Sequence, residues 1–125
     1  LKKSALIKSD SLIFWGYVLT LLIIAVLPLN SSSSLTLNHT FVIHIRLDHL
    51  LHSLLFLPWI IIATRYKQMS LPTAVISGLL IAFMTEGIQF ILPYRSYNIN
   101  DMISNFLGVL AGIIALFFTR LTSTK

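Results

Sequence analysis

Four long apolar runs set the pattern of this chain: Leu12 to Leu29, Leu50 to Thr64, Ala74 to Leu92, and Met102 to Phe118. With flanking residues each approaches the ~20 residues a helix needs to cross ~30 Å of hydrocarbon, although the second is short and must use its polar ends. The pattern predicts an all-α transmembrane bundle of four helices at about 11–29, 48–66, 72–92 and 101–121, within a single domain covering 1–125. Pro28 and Pro93 are placed to end helices, Pro58 to kink the second, and Pro72 to open the third. Between the first two spans, residues 30–47 form an outer loop. Its Ser-rich start "NSSSSLTLNHT" is polar, and Phe41 to Ile45 can fold as a strand-like flap. The first run lacks a small-residue cleavage site and is expected to remain as a helix rather than act as a cleaved signal.

Composition agrees. Hydrophobic residues make up 56% of the chain and charged residues 10%, with a mean hydropathy of +0.87, outside the range of soluble domains. The nine Lys and Arg residues are divided unevenly. Lys2, Lys3, Lys8, Arg65, Lys67, Arg120 and Lys125 fall on one side of the predicted spans, and Arg46 and Arg95 on the other. The positive-inside rule then places both termini in the cytoplasm. No basic stripe or recognition motif accompanies the charge, so no nucleic-acid partner is expected. The absence of cysteine removes thiolate chemistry and disulfides.

Against this background, the few polar side chains recur at helical spacing. Asp48 and His52 are four apart and share a face, with His49 expected to point away from His52. Gly78, Ala82, Glu86 and Gln89 make one narrow stripe, and Asp101, Asn105, Gly108 and Gly112 make another running the opposite way. Gly78, Gly108 and Gly112 read as packing positions, the last two as a Gly-x-x-x-Gly close-approach motif. Glu86 lies six residues before Leu92, roughly 9 Å below the helix end at about 1.5 Å per residue. A carboxylate at that depth must turn into the bundle or be neutralised. Its candidate partners are His52, Asn105 and Arg95. Asp48 and Asp101 also stand where helix N-caps are found, Arg95 where an interfacial anchor would be, and Gln89 and Asn105 suit interhelical hydrogen bonding. Trp15, Tyr17, Tyr66, Tyr94 and Tyr97 fit interfacial belts. His39 and His44 belong to the polar loop and are expected to be solvated.

These residues carry a resemblance. Asp48-His49-x-x-His52, Glu86-x-x-Gln89, Pro93-x-Arg95, Asp101-x-x-x-Asn105 and Gly108 with Gly112 follow, in order, the motifs of the VanZ-like family of small integral membrane proteins. The match runs from Asp48 to Gly112, with His49 standing where the family usually has Lys. The family takes its name from a member linked to teicoplanin resistance, so the resemblance implies a bacterial envelope setting: a multi-pass protein of the cytoplasmic (inner) membrane, its polar site facing outward. It implies no settled reaction.

Two functions fit the residues. In the first, an envelope lipid or other lipid-linked amphiphile is bound or acted on at the outer leaflet. Arg95, Gln89 and Asn105 hold the ligand, and Glu86, His52, Asp48 and Asp101 are the candidate catalytic groups, His52 or Glu86 as base. Whether the chain is an enzyme stays open, because Ser53, Ser96 and Ser104 occur in no nucleophile motif. A cation held by Asp48, His52, Glu86 and Asp101 is chemically reasonable, but spacing across three helices does not test it; no metal is assigned and no cofactor identified. In the second, the chain is a non-enzymatic accessory or assembly subunit that meets membrane lipids and membrane-protein partners through its apolar faces.

Overall fold

The computed structural model describes residues 2–27, 41–42, 45–95 and 97–122. In chain order the elements are α1 (Lys2–Val26), β1 (Phe41–Val42), β2 (Ile45–Arg46), α2 (Leu47–Phe56), α3 (Trp59–Tyr66), α4 (Leu71–Ile91) and α5 (Ile99–Thr122). Four stretches are long and apolar enough to cross a membrane: Ser9–Val26, Leu47–Tyr66 (α2 with α3), Leu71–Ile91 and Ile99–Thr122. Their outward surfaces are apolar, as at Leu12, Phe83, Phe90, Ile91 and Phe117, which suits lipid contact. The expected flap is present as a minimal antiparallel ladder, Phe41 opposite Arg46 and Val42 opposite Ile45. Pro28, His39, His44 and the Ser-rich stretch between the first two spans lie outside the described residues.

Pro58 interrupts the second span rather than only bending it. A proline has no N–H to donate back to Leu54, and its ring crowds the preceding turn. Helix α2 accordingly ends at Phe56 and α3 restarts at Trp59, with Leu57 N–H still reaching Ser53 O (3.0 Å) and Ile62 N–H reaching Pro58 O (2.9 Å). The turn into α4 is closed by Ser70, whose Oγ accepts from Thr73 N–H, with Pro72 in the first turn.

The core forms around this break. Trp59 is fully buried, its ring seated where Gly78 leaves room: a Cβ on Gly78 would lie 2.6 Å from the indole. The indole N–H donates to Ala74 O at 2.7 Å, and Phe14 and Tyr17 of α1 pack against the ring. Tyr17 also donates to Leu55 O. This residue ties α1 to α2 instead of serving the interfacial belt assigned to it. Trp59→Phe should therefore lower stability by about 1–2 kcal/mol, because Ala74 O loses its donor; thermal melts in detergent micelles measure it.

Helix α5 is packed most extensively on α2. The reason is steric. A Cβ on Gly108 would overlap the backbone carbonyl of Ser53, and one on Gly112 would lie 2.6 Å from Leu57 O. The glycines thus admit the carbonyls of a neighbouring backbone four residues apart on both helices. Ser53 Oγ donates to Ser104 O (2.8 Å) across the same seam.

Candidate polar site in the bundle

The close approach of α2 to α5 brings together the polar ends of three spans. On α4, Gly78, Ala82, Glu86 and Gln89 are all buried; on α5 the same holds for Asp101, Asn105, Gly108 and Gly112. Both stripes turn inward as expected. Glu86 and Asn105 are each only 1% exposed, and Asn105 Nδ2 donates to Glu86 Oε1 at 3.0 Å.

That bond fixes the next. With its amide nitrogen turned to the carboxylate, Asn105 presents Oδ1 to His52 Nδ1, 3.0 Å away. A carbonyl oxygen only accepts, so Nδ1 carries the proton and donates. His52 Nδ1 is also 3.6 Å from Glu86 Oε1. The other ring nitrogen, Nε2, then faces Asp101 Oδ2 at 3.9 Å. The result is an array hydrogen-bonded from Glu86 through Asn105 to His52, with Asp101 close beyond it, that leaves Glu86 Oε2 buried with no hydrogen-bond partner among the described residues. A buried polar atom of this kind is costly to leave unmet, about 1–3 kcal/mol.

The remaining expected site residues are placed as follows. Asp48 is buried in the first turn of α2. Gln89 is buried one turn from Glu86 and makes no side-chain hydrogen bond among the described residues. Arg95 lies in the turn between α4 and α5, half-buried, and forms no ion pair to a described residue. Of the three partners considered for Glu86, Asn105 and His52 meet it and Arg95 does not.

Two expectations are corrected. Asp101 is not the N-cap of its helix, because α5 begins at Ile99 and Asn98 Oδ1 accepts from Asn100 N–H at 3.0 Å; Asp101 is thereby released to face α2. Nor does His49 point away from the site. Its Nε2 is 3.4 Å from Asp101 Oδ1, so both histidines meet one carboxylate. Residues three apart lie on neighbouring parts of a helix face, and the His49-to-His52 interval was the signal for it. Ser104, also buried here, back-bonds to Asn100 O (2.8 Å) while its own carbonyl takes the Ser53 hydroxyl.

Fold and site together define a four-span helical membrane protein with an internal carboxylate, amide and imidazole array at one end. The family model described as VanZ/LLP1 matches residues 14–120, and the chain belongs to the VanZ-like family. No curated protein and no solved structure matches it.

Proposed function

We propose that the Glu86, Asn105, His52 and Asp101 array, with Asp48, Gln89 and Arg95 around it, binds or acts on an envelope lipid or lipid-linked amphiphile at the outer leaflet of the bacterial cytoplasmic membrane. The observation that carries this reading is the internal array itself. Burying Glu86 inside a membrane span costs free energy that an apolar residue would not, and intramembrane carboxylates of this kind mark ligand or proton paths. The charge asymmetry of the loops supports an outward orientation with cytoplasmic termini. The family's link to teicoplanin resistance supports the envelope setting.

The roles follow from the chemistry. Arg95 offers a planar fork to a phosphate or carboxylate headgroup. His52, with Nδ1–H held by Asn105 and Nε2 toward Asp101, is oriented as a base or a hydrogen-bond acceptor for a polar group entering beside it. Glu86 and Asn105 set its orientation.

Native mass spectrometry of the delipidated protein with anionic and zwitterionic phospholipids tests the reading. Retention of anionic lipid should fall about tenfold in Arg95→Ala, a loss of ~1.4 kcal/mol, and also in Glu86→Gln, while the melting temperatures of both stay near wild type. Unchanged lipid retention, with lost stability or lost co-purification of another membrane protein, favours the accessory-subunit reading instead.

A further inference from the structure

We infer that Asp48, His49 and Asp101 form a binding site for a divalent transition-metal ion of the zinc type. One carboxylate oxygen from each aspartate and one ring nitrogen of His49 lie within 4.8 Å of one another. Donors bound at about 2.1 Å around a tetrahedral ion stand roughly 3.4 Å apart, and His49 Nε2 is 3.4 Å from Asp101 Oδ1. That nitrogen is shielded from solvent and has no hydrogen-bond partner among the described residues.

Two further considerations favour a cation. The donors come from two helices, Asp48 and His49 on α2 and Asp101 on α5, and the seam between them is held by Gly108 against Ser53 O and by the Ser53 hydroxyl on Ser104 O. The site is therefore set by the backbone and not by flexible loops. Two carboxylates and an imidazole also match the charge of a divalent ion. An imidazole in the donor set favours zinc over the all-oxygen ions calcium and magnesium. Three protein ligands leave room for water or for an anionic oxygen of a bound molecule.

This site shares Asp48 and Asp101 with the lipid reading and adds His49, but it needs no lipid, so each can fail alone. The test uses the full chain purified without a histidine tag, stripped with a chelator in lipid-free detergent, and titrated with Zn2+ alone, reading bound metal by atomic spectroscopy and the melting temperature with and without metal. The wild type should take up about one equivalent and melt higher when loaded. Asp101→Asn and His49→Ala should each weaken uptake by at least about 100-fold, as expected for a lost ligand. His49→Gln, which keeps a polar side chain on the half-buried helix face, should do the same if the alanine variant does not show a native helical spectrum without metal. Absence of saturable uptake by the wild type, or uptake undiminished in folded His49 and Asp101 variants, overturns the site. Zinc uptake without anionic-lipid retention keeps this site and removes the lipid reading; lipid retention without zinc uptake does the reverse.

Discussion

Gly108→Ala should destabilise the bundle by about 2–3 kcal/mol, whereas the same substitution at Gly16 or Gly87 should be neutral or mildly stabilising. The difference lies in what the new methyl group meets. At Gly108 it overlaps the carbonyl of Ser53, a backbone atom that moves only if α2 moves; at Gly16 and Gly87 nothing lies within 4 Å. Overpacking against a rigid neighbour costs about 1–3 kcal/mol, while relieving glycine in an open helical position returns up to ~1 kcal/mol. The displacement also spreads. Ser53 Oγ sits on Ser104 O, and His52 and Asn105 are the chain neighbours of these two serines, so Gly108→Ala should lose ligand retention along with stability. Unfolding titrations in mixed micelles give the stability change.

Asn105→Leu should cost roughly 3 kcal/mol, because one substitution strands two buried groups. Glu86 loses its hydrogen-bond donor, and His52 Nδ1–H loses its acceptor. The companion Glu86→Leu/Asn105→Leu variant should recover part of that loss, since an apolar pair asks for no hydrogen bonds, yet remain inactive in ligand binding. A double-mutant cycle over the two positions should give a favourable coupling of about 1–3 kcal/mol. Independent, additive effects would mean that the Glu86 to Asn105 contact does not hold the array together.

Much of this was legible before the structure. The four spans follow from hydropathy and length, and the inward turn of Glu86, Gln89, Asp101 and Asn105 follows from spacing alone, because a polar side chain in a span has few other places to go. Pro58 announced a kink, though not the full break between α2 and α3. What spacing could not supply was the identity of neighbours. The Gly108 and Gly112 motif read correctly as a close approach, but the backbone it admits is that of the second span, at Ser53 in α2 and Leu57 just after it, a choice made by the tertiary arrangement. Trp59 under Gly78 was invisible for the same reason: a tryptophan in an apolar run looks alike whether it faces lipid or a cleft. Asp101 was weighed as a cap because Asn98, three residues upstream of the expected start, was not credited with taking that part. His49 was set aside on a misjudged helical angle.

The claim on which the envelope reading depends most is that the polar-lined end of the bundle meets the outside. The sequence contains no cysteine, so single-cysteine variants can be labelled cleanly with a membrane-impermeant maleimide on intact cells. Arg95→Cys, in the turn beside the array, should label from outside, and Lys67→Cys, in the turn between α3 and α4 at the opposite end of α4, only after permeabilisation. The reverse pattern would put Glu86, His52 and Asp101 on the cytoplasmic side and contradict the account.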